Sequence, residues 1–254
     1  MGRRHDQDAG GDAGVLAAKA GLREEIWAAV AVPGIARFPG ADGRIPNFVG
    51  AEAAAELLRG LAEWQAATTV KANPDSPQLP VRQRALEDGK TVYMAVPRLA
   101  SDAPFFRLEP EALAVSPRRA ASITGASRAG EPVALDALEP VDLAVVGCVA
   151  VSADGARLGK GGGFSDLEFA LACEAGLIDE RTVMATTVHE AQVVGTGRIP
   201  ETDHDFRLDV VVTPDRVIHC RRGRRRGRPP GIRWHELTDE KINAIPVLAR
   251  LRPG

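Results

Sequence analysis

Residues 143–151 read LAVVGCVAV, apolar throughout but for one glycine. A run of that length without polar alternation has no face to give to water. It predicts a strand covered on both sides, the central strand of an α/β sheet. ATTVK (67–71), KTVYMAVP (90–97), TVMATTV (182–188), RLDVVVT (207–213) and RVIHC (216–220) predict further strands. Helical patterns alternate with them. Leu22, Ile26 and Val30 recur at four-residue spacing in a helix over 15–30, and Ala54, Leu57, Leu58 and Leu61 share a face of a helix over 51–64. Helices follow at 80–88, at 166–176 with Gly176 as its stop, and over LTDEKINAIPVLARL (237–251), where Thr238 is the expected N-cap and Pro246 the expected break. Residues 100–140 have weak periodicity, and only short helices near 109–115 and 117–122 are expected there. Alternating elements of this kind predict one layered α/β domain over 15–254, preceded by a disordered, glycine-rich tail over 1–14 that contains no signal-peptide core.

Charge narrows the function. Thirty-two Lys and Arg stand against 34 Asp and Glu, a net charge of -2, which argues against a surface built wholly to hold nucleic acid. Aromatics make up 4% of the chain, too few for an extended base-stacking platform. Arg221–Arg228, RRGRRRGR, is the local exception, a run suited to RNA or an acidic partner, but no aromatic interleaves it. Cys148, Cys173 and Cys220 form no metal-ligand or disulfide spacing, and read as buried thiols of a reducing compartment. No apolar run approaches the ~18 residues that span a bilayer, so a cytoplasmic protein without membrane contact is expected. His189 reads as a hydrogen-bonded structural residue, and ETDHD around His204 as a solvated loop rather than a metal site.

The chemistry concentrates in RLGKGGGFSD, residues 157–166, which follows the apolar strand and opens a helix. Gly159, Gly161, Gly162 and Gly163 let backbone amides approach a ligand closely, and the helix N-terminus adds its free N–H groups and positive dipole end. Arg157 and Lys160 add charge, and Asp166 in the first helical turn can reach a magnesium ion carried by phosphates. The spacing is neither a Walker A loop nor the dinucleotide fingerprint. A flexible turn with an Asp cap is the plain alternative.

This loop resembles the ATP-binding signature of the 5-formyltetrahydrofolate cyclo-ligases, R-L-G-x-G-x-G-Tyr/Phe-Tyr-Asp, here Arg157, Leu158, Gly159, Lys160, Gly161, Gly162, Gly163, Phe164, Ser165 and Asp166. The family's early K-x-x-L-R helix motif is matched by Lys19, Leu22 and Arg23, and its late-strand magnesium Asp falls on Asp209. RIPNF, TVHEAQVV, TPDRVI, GIRW and IPVLARLR further resemble a paralogue group that includes the animal methenyltetrahydrofolate synthetase domain-containing proteins.

The resemblance implies a three-layer αβα sandwich with a mixed, largely parallel sheet, CoA-transferase-like. It implies ATP and Mg2+ as cofactors, with phosphates held by Lys19, Arg23, Arg157, Lys160, the loop amides, Phe164 and Ser165, and magnesium by Asp166 and Asp209. The implied reaction phosphorylates a formyl or amide oxygen, which a neighbouring amine then displaces, taking 5-formyltetrahydrofolate to 5,10-methenyltetrahydrofolate or acting on a related small molecule. Departures fall on the substrate side. Ser165 replaces the second aromatic. Gln78 stands where the family has a folate-recognising Glu, and a neutral amide lacks the charge assistance a carboxylate gives. A second reading therefore stays open: a redirected or non-catalytic paralogue, tied to thiamin-related metabolism or binding RNA or a partner through the arginine run.

Overall fold

The structure, a computed structural model, describes residues 5–202, 205–220 and 231–253, with side chains from residue 14 on and excepting those of residues 165 and 236. The arginine run 221–228, His204 and the Ser165 side chain lie outside the described part. Chain order begins with α1 (His5–Val30), α2 (Ala51–Arg59), α3 (Ala62–Ala66), β1 (Thr69–Ala72), α4 (Leu79–Glu87), β2 (Thr91–Ala95) and β3 (Phe105–Leu108). It continues through α5 (Pro117–Ala120), α6 (Ile123–Ala129), β4 (Glu131–Val133), β5 (Leu143–Val145), β6 (Ala150–Ser152) and β7 (Arg157–Leu158). The last elements are α7 (Phe164–Glu174), β8 (Val183–Thr187), β9 (Val193–Val194), β10 (Val210–Val212), β11 (Val217–His219), α8 (Asp239–Ala244) and α9 (Pro246–Leu251).

An eight-stranded sheet runs β11-β10-β8-β5-β1-β2-β3-β4. Its middle, β10-β8-β5-β1-β2, is parallel, and antiparallel strands close both edges. The sheet is thus mixed and largely parallel. Alternate side chains of its strands serve two cores. Leu143, Val145, Val210 and Val212 pack with α2, α4 and α6, while Ala144 and Val211 pack with α7, α8 and α9 on the other face. Helices on both faces are what the unbroken apolar strands require. A second sheet, β7-β6-β9, is covered by the Leu22–Ile26–Val30 stripe of α1.

The 143–151 run is not one strand. β5 ends at Val145 in the large sheet and β6 begins at Ala150 in the small one. Between them runs a four-residue connection that includes Gly147, packed so closely that a Cβ there would lie 3.0 Å from the Ile45 side chain and 3.2 Å from Asp75 Oδ2, which would have to give way to a larger residue. The predicted helix over 51–64 is likewise two, parted at Gly60 and Leu61. The 109–115 segment forms only a 3-10 turn, Pro110–Ala112. The backbone of residues 5–14, expected as a tail, continues α1, since extending a nucleated helix costs little per residue. Pro246 occupies the first turn of α9 and parts it from α8, whose N-cap Thr238 accepts from the Lys241 amide.

The three cysteines form no disulfide among the described residues. Burial raises the Cys148 thiol and pushes Cys220 up to about 12, so neither is a thiolate at neutral pH. Among the described residues, no helix is long and apolar enough to cross a membrane.

Candidate functional site

The glycine loop lies beyond the C-terminal ends of the parallel strands, where open α/β sheets bind ligands. Its position is fixed from three sides. Lys160 pairs with Asp75, three residues past the end of β1, at 3.2 Å. Arg23 of α1 donates Nε to the Gly159 carbonyl at 2.7 Å. From below, Glu168 of α7 accepts from Lys71 of β1 at 3.0 Å and from Asn73 at 2.9 Å, all three buried. A charge pair so far from water holds its helix only because each member is hydrogen-bonded. It tethers the N-terminal half of α7 to the sheet.

Arg157 is the floor of the site. Its guanidinium is 2% exposed, lies 4.2 Å over the Phe206 ring, and gives Nη1 to Asp166 at 2.7 Å. Nε and Nη2 have no hydrogen-bond partner among the described residues, although the Cys148 sulfur acts electrostatically on the guanidinium. Nη2 faces the loop, for a Cβ on Gly159 would lie 3.2 Å from it. Burial opposes the Arg157 charge, yet Asp166 and its other neighbours hold the group above its usual value, so it stays a cation. A buried cation with two unused donors under a glycine loop is a half-satisfied anion site.

Lys19 is no solvated stripe on α1. It is buried, and its ammonium meets Asp205 at 2.6 Å, with both side chains under 10% exposed. Asp205 also accepts from the Thr202 amide and hydroxyl. Asp166 and Asp205 both act electrostatically on Arg23 and on Arg157, which places the two carboxylates in one cluster. Burial lowers Arg23, and those carboxylates oppose the fall.

Asp209 does not join them. It precedes β10 at the N-terminal end of the parallel strands, where its carboxylate accepts from the Met184 amide near the start of β8 at 2.9 Å. Its backbone is tied into the same ladder through Met184 and Cys220. The late carboxylate that shares the electrostatic cluster of Arg23 and Arg157 is Asp205, whereas Asp209, for which the magnesium role was expected, lies at the opposite end of the strands. The two stand four residues apart in the sequence. Among the described residues no group of three metal-ligating side chains occurs. Magnesium held largely by phosphates needs only one or two carboxylates, so Asp166 and Asp205 fit it.

The substrate side adjoins the loop through Asp75, whose carbonyl accepts from the Gln78 amide as the 3-10 turn Ser76–Gln78 begins. Gln78 is fully buried; Nε2 lies 3.4 Å from the carbonyl of Thr187, the last residue of β8. Its Oε1 and the Thr187 hydroxyl have no hydrogen-bond partner among the described residues. Phe164 starts α7 and packs into the core beneath it, with a Cβ on Gly162 falling 3.5 Å from its ring. Gly161 and Gly163 have φ of 92° and 68°, which only glycine adopts without strain. His189 is structural: Nδ1 accepts from the Ala191 amide in a capping box.

With this geometry in place, comparison with known proteins is decisive. A model of the 5-formyltetrahydrofolate cyclo-ligase family matches residues 16–214. The chain belongs to that family. Among curated relatives, the methenyltetrahydrofolate synthase domain-containing protein of Bos taurus is 40% identical over 237 residues, covering 92% of this chain and 62% of the relative. Its Mus musculus counterpart is also 40% identical, over 92% of this chain and 63% of its own length. The chain thus spans less than two thirds of these family members. Aquifex aeolicus 5,10-methenyltetrahydrofolate synthetase shares the fold, with a TM-score of 0.53 at 21% identity over 86% of this chain and 99% of that one. The family match ends at residue 214, short of α8 and α9.

Proposed function

We propose that this cyclo-ligase family member is an ATP- and magnesium-dependent enzyme that activates a formyl or amide oxygen by phosphorylation, with 5-formyltetrahydrofolate or a related compound as acceptor. The observation that carries the reading is Arg157, a buried cation with two unpartnered nitrogens under the glycine loop. Arg157, Arg23, Lys160 and the loop amides bind the triphosphate, and Lys19 holds Asp205 in place. Asp166 and Asp205 hold magnesium, which when bound screens the phosphate charge against the incoming oxygen. No side chain here acts as a covalent nucleophile. The protein's part is to align the two reactants and to neutralise charge. Gln78 and Thr187 offer an acceptor and a hydroxyl to the second substrate. Gln78 lacks the charge that a carboxylate would bring to a pterin's amino edge, which leaves room for a different formamide or amide, including a thiamin-related one.

The test is phosphate release from ATP-magnesium with and without 5-formyltetrahydrofolate, with formation of the methenyl product followed in parallel. Stimulated release with product supports the full proposal. ATP binding without stimulation keeps the phosphate site and rejects folate as acceptor. The two aspartates are separable in the same assay. Asp205→Asn is expected to raise the magnesium needed for half-maximal ATP binding by about tenfold, since one of two ligating carboxylates is lost. Asp209→Asn, altering a residue of the strand ladder, should leave it within about twofold while lowering the melting temperature. The reverse pattern would return the metal role to Asp209.

A further inference from the structure

The three alternate glycines of the loop are each covered by a cation from a different element. Gly159 faces Arg157 Nη2, and a Cβ on Gly161 would lie 3.3 Å from the Arg23 guanidinium carbon. A Cβ on Gly163 would lie 3.0 Å from Lys241 Nζ. Lys241 belongs to α8, beyond the residues the family model matches. No described residue pairs with its ammonium, and Arg23 has no carboxylate partner among the described residues either. Lys19, Arg157 and Lys160 are matched by Asp205, Asp166 and Asp75, so the loop keeps an excess of two positive charges.

An ammonium at Gly163 stands at the N-terminal end of α7, where the helix dipole disfavours a cation and favours an anion. Its position is built in. Thr238 caps α8 through the Lys241 amide, and Ile242, Ile245, Val247 and Leu248 sink into the core shared with Leu167 and Phe169 of α7. Between α7 and this segment lies a cavity of about 220 Å³, bordered by Gly163, Asp166, Ile232, Arg233, Leu237 and Lys241.

We propose that Lys241 is a phosphate-binding residue, the third cation of the loop, supplied by a C-terminal helix outside the family's common core. This rests on the reading of the loop as a triphosphate site. The cavity beside it opens onto Asp166, so a triphosphate on the loop lies within reach of both the ammonium and the carboxylate. The test is calorimetric titration of the full chain with ATP-magnesium and, separately, with inorganic tripolyphosphate-magnesium. Lys241→Met is expected to weaken both about tenfold, the scale of one charge-assisted contact. Lys241→Arg, which keeps the charge, should stay within about threefold of the parent, a rescue that a packing role would not give. Lys241→Met binding both probes within about twofold of the parent overturns the assignment, as does a loss confined to ATP. A parent protein that binds neither probe overturns the loop reading, and this assignment with it.

Discussion

Replacing Arg157 with methionine is expected to weaken ATP-magnesium binding by about 100-fold or more, the scale found when one partner of a buried, hydrogen-bonded charge pair is removed. Three effects combine. The site loses the cation beneath Gly159, it loses the two unpartnered donors, and Asp166 loses its 2.7 Å partner. Asp166 then brings its charge to the phosphates without the Arg157 guanidinium to balance it. Arg157→Lys should not restore binding, because a single ammonium cannot both hold Asp166 and point a second donor at the loop. Circular dichroism establishes that each variant is folded. A folded Arg157→Met protein that binds ATP-magnesium within about threefold of the parent would contradict the account, since about 1.4 kcal/mol corresponds to only tenfold.

Arg82→Met is expected to cost about 4 kcal/mol of stability, through the carbonyls it would leave unsatisfied. Arg82 is 1% exposed, and no carboxylate among the described residues pairs with its guanidinium. Its nitrogens donate instead to the carbonyls of Ala121 (2.8 Å), Asn73, Pro74 (3.3 Å) and Asp75 (3.2 Å). Burial lowers it to about 10, still charged at neutral pH, with Asp75 opposing the fall. It folds the loop after β1 into the shape that presents Asp75 to Lys160 and starts the turn of Gln78. Loss of Arg82 should therefore lower the urea midpoint and also loosen the loop's anchor on that side. An unchanged midpoint would show that water replaces the guanidinium at little cost.

The layered architecture was legible because unbroken apolar strands such as 143–145 and 210–212 admit no other environment. The break between β5 and β6 was not, since nothing in LAVVGCVAV announces that Ile45 and Asp75 pack against Gly147 from distant parts of the chain. β3 and β4 were missed because FFRL and EPV are short, and their pairing at the sheet edge depends on partners rather than on their own pattern. The same division holds in the site. The loop, Lys19, Arg23 and Arg157 announce themselves by motif, and the structure brings them together. Asp205 was not singled out because the apolar strand drew attention to Asp209, whose carboxylate accepts from the Met184 amide. Lys71, Glu168 and Lys241 carry no motif. They matter through tertiary placement alone, Lys71 under α7 and Lys241 over Gly163.

The claim at the centre is that the glycine loop and its cations hold a nucleotide triphosphate. Calorimetry of the parent protein with ATP, with and without magnesium, tests it most directly. The account predicts saturable binding near one site per chain, strengthened by magnesium. No heat of binding at millimolar ATP with magnesium present would contradict it, and the loop would then be a structural turn with Asp166 as no more than a neighbour of Arg157.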